Sequence, residues 1–232
     1  EHNAHCIFTA QNEKNLEQIY KIFPNSPAFI LDVEDKSSIG NLLEELKALT
    51  PKLDGFLHSI AFANFSPETP LFHQTSRENF LQAIQISCLS LMEITNAILP
   101  LLTENSSIVT VSISNTKATS YGYMGPIKSM LETSVCYLAK SLSDIKNVRV
   151  NSVGAGPLKT SASAGIPNYV ENYLYSEALT LRKQALKTEE VAKTIKFLLS
   201  PESSGINAEN IIIDAGMNSN YFDQKIVKNF NK

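Results

Sequence analysis

Tyr121 and Lys128 are the pair of residues in this chain best suited to chemistry. They begin and end the segment Tyr121-Gly-Tyr-Met-Gly-Pro-Ile-Lys128, which precedes a second motif, Val150-Asn-Ser-Val-Gly-Ala-Gly-Pro157. A phenol and an ammonium seven residues apart at the start of a helix can lie near one nucleotide ribose. The ammonium would hold the ribose and lower the pKa of the phenol, and the phenol would donate a hydrogen bond to a developing oxyanion. The competing interpretation is a core tyrosine and an exposed lysine on an amphipathic helix.

Size and composition favour a single α/β domain spanning residues 1–232. The chain has 232 residues, 43% of them hydrophobic, which is enough to bury a full core. Its net charge is −3 and its 20 basic residues are scattered, which argues against a nucleic-acid or membrane-surface partner. Apolar runs such as Ala28–Val33 are too short to cross a bilayer. The widely spaced Cys6, Cys88 and Cys136 predict small buried residues of a reduced cytoplasmic protein, and no metal site is expected.

Short β-branched runs alternate with helical patterns along the chain. The predicted strands are Cys6–Thr9, Ala28–Val33, Gly55–Ala61, Ser107–Ile113, Val148–Val153 and Asn210–Asp214. The predicted helices are residues 12–22, 36–50, 75–101, 121–145 and 188–199, the last with Thr188 as its N-cap. Several strands are apolar throughout, as parallel strands covered on both faces are. The alternation predicts a three-layer, doubly wound parallel sheet of the Rossmann-like type.

The beginning of the chain departs from a dinucleotide-binding fold. Such folds open with a strand, a glycine-rich turn and a helix. Here the first predicted strand is followed by Ala10-Gln11-Asn12-Glu13, and the first glycine is Gly40. We therefore expect that one strand–turn–helix unit of roughly 30 residues is absent from this sequence. The alternative is a protein that naturally lacks the unit, and either way we expect low stability for this chain alone.

Three segments carry a resemblance to a known family. They are Asp54-Gly-Phe-Leu-His-Ser-Ile-Ala-Phe-Ala63, Tyr121–Lys128, and Ala155-Gly-Pro-Leu-Lys-Thr160 with the residues up to Ile166. The sequence resembles the NADH-dependent enoyl-acyl-carrier-protein reductases of bacterial type II fatty acid synthesis, a divergent branch of the short-chain dehydrogenases. Most short-chain dehydrogenases place the tyrosine four residues before the lysine, where this chain has Met124. A carbonyl reductase would also need a serine thirteen residues before Tyr121, where Ile108 stands.

The resemblance implies a role for each matching residue. Tyr121 and Lys128 would be catalytic, and Ala63 and Tyr121 would face the substrate. NADH would be bound by Gln11, Asp32, Val33, Ser59, Ile60, Lys128, Leu158 and Thr160. The neutral Gln11 favours NADH over NADPH, and Asp32 has the alternative interpretation of a turn residue. The segment from Ser161 to Tyr175 would be a mobile substrate lid. His58 is expected to be a packed, hydrogen-bonded core residue.

The sequence departs from the family at one active-site position. Ile113 follows Ser112 where the family has a second tyrosine, so Ser112, Ser114 or Tyr123 would have to supply a replacement hydroxyl. The resemblance implies a cytoplasmic homotetramer, assembled through the helices near 75–101 and 121–145, that acts on acyl carrier protein bearing an enoyl chain. The alternative is a non-catalytic binding or assembly subunit that keeps the fold. Ile113 and the absent glycine-rich turn favour that alternative.

Overall fold

The computed structural model describes residues 4–65, 71–160, 163, 166 and 169–228. Its six strands are β1 (Phe8–Ala10), β2 (Ala28–Ile30), β3 (Leu53–His58), β4 (Leu102–Ile113), β5 (Arg149–Ala155) and β6 (Asn210–Ile213). The α-helices in the described residues are α1 (Glu13–Ile22), α2 (Lys36–Leu49), α3 (Arg77–Ile84), α4 (Ser90–Ile98), α5 (Met124–Ser143), α6 (Tyr169–Leu179), α7 (Thr188–Leu199) and α8 (Gln224–Val227). All six predicted strands and all five predicted helices are present.

The strands pair in parallel and form two sheets in the described part of the chain. β1 pairs with β2, and the larger sheet has the order β3-β4-β5-β6. β4 and β5 are aligned from Ser107 opposite Arg149 to Ile113 opposite Ala155, so their carboxyl ends lie together at one edge. β4 starts at Leu102, earlier than predicted, and Asn105 in its first half has a φ of 65°.

Helices cover both faces of the larger sheet. Ile108 of β4 and Val150 of β5 are buried with α4 and α5, while Val109 and Val153 are buried with α7 on the opposite face. Adjacent residues of a strand point to opposite faces, so a strand covered on both sides is rich in apolar residues on both, and its buried polar residues need partners, as Ser107 of β4 has in the carbonyl of Leu198 (2.7 Å). The sequence showed this pattern, and the predicted three-layer parallel fold is confirmed.

Short polar side chains set where several helices begin. Asn12 accepts a hydrogen bond from the amide of Asn15 at the start of α1 (3.0 Å), and Asp35 accepts one from Ser37 at the start of α2 (2.8 Å). The N-cap of α7 is Lys187 rather than the predicted Thr188. The backbone amide of Lys187 donates a hydrogen bond to the side chain of Glu190 (2.8 Å), so a residue of the first turn supplies the oxygen that caps the helix.

The predicted helix 75–101 is a composite in which a π-helical turn, Gln85–Leu89, joins α3 to α4. Taken together, Arg77–Leu101 is long enough, and its most apolar window apolar enough, to cross a membrane by length and composition alone. Half of its most apolar window is buried within the protein, as in the core helix of a soluble protein, and Leu91 and Ile94 are almost inaccessible. Its composition is therefore weak support for a membrane span.

Three local predictions were wrong. α5 begins at Met124 rather than residue 121, because Gly122 has a φ of 59° and separates the helix from the 3₁₀ turn that contains Tyr121. The predicted lid lies partly outside the described residues; a loop structure is wrong from Tyr169 onward, where α6 begins, and the role as a substrate lid stays a prediction. Cys6 and Cys136 are exposed rather than buried, and only Cys88 is a core residue; all three are free thiols.

Candidate active site

Lys128 is a buried lysine that reaches the carboxyl end of β4 from α5. Its side chain is 5% exposed, and its Nζ donates a hydrogen bond to the carbonyl of Val111 (2.7 Å). Burial lowers the pKa of Lys128 to about 8, because the charged ammonium loses its water, and Cys88 and Glu132 partly offset that effect. An ammonium has three N–H donors, and in the described part of the chain the Val111 carbonyl accepts a hydrogen bond from one of them. Lys128 can therefore bind further acceptors.

Tyr121 lies in the 3₁₀ turn Thr119–Tyr121 between β4 and α5. Its ring is half-buried against the larger core cluster, and in the described part of the protein no group hydrogen-bonds to its hydroxyl. Burial raises the pKa of Tyr121, and the nearby phenol of Tyr169 raises it further. The expectation that Lys128 lowers this pKa was therefore wrong, because the loss of solvation outweighs any attraction to the ammonium. Tyr121 keeps its proton at neutral pH and can donate it in a hydrogen bond.

A cleft of about 160 Å³ opens at the carboxyl ends of β1, β2 and β3. Four of the predicted cofactor-binding residues line it: Gln11, Asp32, Val33 and Ile60. Asp32 also accepts a hydrogen bond from the amide of Glu34 (3.0 Å), so its interpretation as a turn residue is confirmed and its contact with the cofactor stays a prediction. Ligands of doubly wound sheets bind beyond the carboxyl ends of the strands, which is where this cleft lies.

The other predicted residues lie around the same edge of the sheets. Ser59 is exposed directly after β3, and Ala63 is half-buried against the core. Leu158 and Thr160 follow the carboxyl end of β5, and the side chain of Thr160 accepts a hydrogen bond from the amide of Ser163 (3.2 Å). Their assignment to the cofactor or the substrate remains a proposal.

His58 is a packed core residue, as the sequence predicts. It is 1% exposed, and its Nε2 lies 2.8 Å from the hydroxyl of Ser90, which itself donates to the carbonyl of Ile86. Since the Ser90 hydrogen is already used, Nε2 must carry the proton and Nδ1 must accept from Thr110 (2.9 Å). Burial, and then the charge of Lys128, lower the pKa of His58 to about 3. His58 is therefore neutral and is not the proton carrier of the site.

Comparison with known proteins identifies the family. The family described as "Enoyl-(Acyl carrier protein) reductase" matches residues 1–218. The NADH-dependent enoyl-[acyl-carrier-protein] reductase FabI of Enterococcus faecalis is 35% identical over 217 residues, which cover 92% of this chain and 86% of that protein. The chain belongs to the enoyl-acyl-carrier-protein reductase family.

Two further enoyl-acyl-carrier-protein reductases agree with this result. The NADPH-dependent FabI of Staphylococcus aureus is 33% identical over 93% of this chain and 87% of its own length. The crystal structure of the NADH-dependent reductase from Aquifex aeolicus superposes with a TM-score of 0.85 at 31% identity, covering 91% of this chain and 85% of that one. The relatives are named as reductases, so the alternative of a non-catalytic subunit gains no support.

Of the three hydroxyls proposed to replace the tyrosine missing at Ile113 in this enoyl-acyl-carrier-protein reductase, two are already engaged. Ser112 donates its hydroxyl hydrogen to Glu132 (2.6 Å), and Tyr123 donates its own to the carbonyl of Asn64 (3.0 Å). Ser114 is the third. Ser114 is half-buried beyond β4, and in the described residues its hydroxyl has no hydrogen-bond partner.

Sequence reasoning missed three polar residues around this site. Ser87, in the π-helical turn, accepts a hydrogen bond from the amide of Phe62 (3.0 Å) and donates one to its carbonyl (3.1 Å). Tyr169 donates to the carbonyl of Leu158 (2.6 Å), which brings it close to Tyr121. Glu132 stands one helical turn after Lys128, and this i, i+4 spacing is the one signal that could have revealed it.

Proposed function

We propose that this protein reduces trans-2-enoyl thioesters carried on acyl carrier protein, with NADH as the hydride donor, in fatty acid elongation. Family membership supports enoyl-acyl-carrier-protein reduction with a nicotinamide cofactor. The structural observation that carries the proposal is the buried Lys128 ammonium, which has a single protein acceptor in the described residues and lies at the carboxyl end of β4.

The residues present fit a dinucleotide. A buried ammonium that is satisfied by one carbonyl is costly unless further acceptors complete it, and ribose hydroxyls are suitable acceptors. The cleft lined by Gln11, Asp32, Val33 and Ile60 is concave and largely apolar, as nucleotide sites are. Lys128 would hold the ribose, and the cleft residues would hold the adenosine end.

The chain's own contribution to the reaction is binding and electrostatic stabilisation. The bound nicotinamide supplies the hydride for the β-carbon, since no side chain can. Negative charge then develops on the thioester oxygen of the substrate. Tyr121 would donate a hydrogen bond to that oxygen, because its raised pKa keeps the phenol protonated and no described group occupies its hydroxyl. Lys128 would orient the ribose and add positive charge to the site.

The preference for NADH follows from the charges of the cleft. Its described lining contains the carboxylate of Asp32 and the neutral Gln11, and no lysine or arginine. The additional phosphate of NADPH would bring negative charge to a site that offers no cation to bind it. We expect a lower KM for NADH than for NADPH, and the opposite preference would contradict this part of the proposal.

Assembly and location are further parts of the proposal. The described chain leaves large apolar side chains exposed on α3, the π-helical turn and α5, among them Leu81, Leu89, Met130 and Tyr137. Exposed apolar surface on neighbouring helices supports the predicted homotetramer. The three free thiols are compatible with a reducing cytoplasm. Light scattering coupled to gel filtration tests the assembly, and a monomer at micromolar concentration would refute it.

Oxidation of NADH with a short trans-2-enoyl thioester tests the function. We expect turnover by the unmodified chain and a loss of about a hundredfold in Tyr121→Phe, because one oxyanion donor is removed. Tyr221→Phe is the matched control: the same hydroxyl is removed from a side chain that is 82% exposed and lies outside the helices of the proposed interface. Equal activity of Tyr121→Phe and the control would refute the role of Tyr121, and no NADH oxidation by any of the three would refute the function.

A further inference from the structure

Two side chains of α5 hold adjacent residues at the carboxyl end of β4. Lys128 donates to the carbonyl of Val111 (2.7 Å), and Glu132 accepts a hydrogen bond from the hydroxyl of Ser112 (2.6 Å). Residues four apart on a helix share one face, so both groups approach the strand from the same side. β4 ends one residue later, at Ile113, and the chain then turns towards Tyr121. Lys128 and Glu132 therefore fix the strand end from which that turn departs.

Among the described residues Lys128 has no direct ion-pair partner. No carboxylate in the described residues lies within salt-bridge distance of its Nζ, although the side chain is almost completely buried. A buried ammonium without a counter-charge tends to lose its proton, because solvation no longer stabilises the charged form. The question is which nearby group supplies negative charge.

The groups that face Lys128 from neighbouring elements leave one candidate. Cys88 of the π-helical turn can raise the pKa of Lys128 only as a thiolate, and burial raises its own pKa, so at neutral pH it is an uncharged thiol that supplies no counter-charge. His58 of β3 is neutral, and so is Tyr121, whose pKa is raised. Glu132 is the remaining group, and its carboxylate interacts electrostatically with Lys128.

Glu132 is itself held in place. It is half-buried, and it accepts a hydrogen bond from the hydroxyl of Ser112 (2.6 Å). Burial raises the pKa of Glu132, while the bond from Ser112, the charge of Lys128 and the nearby amide of Asn210 favour its charged form. A short hydrogen bond to a carboxylate is a strong one, so it restrains the position of Glu132.

We propose that Glu132 is a positioning residue for the reduction, which holds the end of β4 through Ser112 and supplies the counter-charge that keeps the buried ammonium of Lys128 protonated. This inference rests on the proposed function, because it assigns Lys128 to the ribose of the cofactor. Glu132 acts through Lys128 and Ser112 and does not contact the reacting atoms.

The test is the pH dependence of NADH binding, measured by fluorescence on the full chain. Binding weakens as pH rises through the pKa of Lys128. Glu132→Gln keeps the shape and an acceptor oxygen but removes the charge, so we expect the midpoint of this loss to fall by about one pH unit. At about pH 8 that corresponds to about fivefold weaker binding. Ser112→Ala removes the hydrogen bond and keeps the charge, so its midpoint should stay unchanged.

Two further measurements separate the possible causes. Glu189→Gln removes a charge from the exposed first turn of α7, and its midpoint should equal that of the unmodified chain. The Lys128 Cε resonance of ¹³C-lysine-labelled protein, assigned with Lys128→Arg, reports the same titration without cofactor. Should Glu132→Gln fail to fold, Glu132→Asp serves instead, because its shorter side chain weakens the interaction and lowers both midpoints by a smaller amount.

The outcomes distinguish the inference from the proposed function. Equal Lys128 titrations in Glu132→Gln and the unmodified chain would overturn the inference, even if the variant lost activity. An unmodified chain that neither binds nor oxidises NADH would instead overturn the proposed function, while the NMR titration would still decide the effect of Glu132 on Lys128.

Discussion

Protonation of His58 should make the stability of this protein fall in mild acid. The folded state holds His58 neutral, with a pKa of about 3 instead of the ordinary 6.5, because the ring is buried and both of its nitrogens are hydrogen-bonded. The unfolded chain binds a proton below about pH 6.5 and the folded chain does not, so stability is lost as the pH falls. From about pH 6.5 to about pH 4.5 this single group should lower the free energy of unfolding by about 2 kcal/mol.

Urea unfolding followed by circular dichroism measures this effect in the unmodified chain and in His58→Gln. Glutamine can donate and accept hydrogen bonds but does not titrate, so the difference between the two proteins isolates the histidine from the acidic residues. We expect that difference to change by about 2 kcal/mol over the two pH units. A difference that stays constant within about 0.5 kcal/mol would show that His58 titrates normally in the folded state, which would refute the assigned tautomer and burial.

Other predictions concern separate parts of the fold. Arg149→Met should lower the free energy of unfolding by roughly 3 kcal/mol in urea unfolding, because the buried guanidinium serves three backbone carbonyls and a serine hydroxyl after α7. Arg149→Lys should lower the free energy of unfolding by less, and equal losses in the lysine and methionine variants would contradict this account. Gly125→Ala places a Cβ 2.8 Å from the carbonyl of Thr116. This clash should displace the turn before Tyr121 and thereby lower kcat about tenfold. Gly40→Ala, in open space, should leave kcat unchanged and raise stability by about 0.5–1 kcal/mol. Ile113→Tyr should raise turnover about tenfold or more, and Ile113→Phe should not; equal rates would show that no second donor is lacking.

The order of elements and the position of the site were predictable from the sequence. Ile108, Val109 and Val150 belong to short runs rich in β-branched residues, which are typical of parallel strands covered on both faces. Parallel strands place their carboxyl ends at one edge, so residues that follow different strands, such as Gln11 and Ile60, were expected near each other and line one cleft.

What the sequence could not provide were contacts made across elements. The spacing of Tyr121 and Lys128 suggested one helix, but the positive φ of Gly122 separates them, and burial decides the pKa of the phenol. A pKa depends on how much water the tertiary structure removes around a group, which no local pattern records.

The sequence by itself determined the fold, because the periodicity of apolar residues is a local property that each strand and helix carries. The tertiary structure alone decided the charge state of the site. Lys128, Glu132 and Ser112 come from two elements, and their hydrogen bonds exist only once α5 has packed against β4. The same packing excludes water from Lys128, and that exclusion makes a counter-charge such as Glu132 necessary.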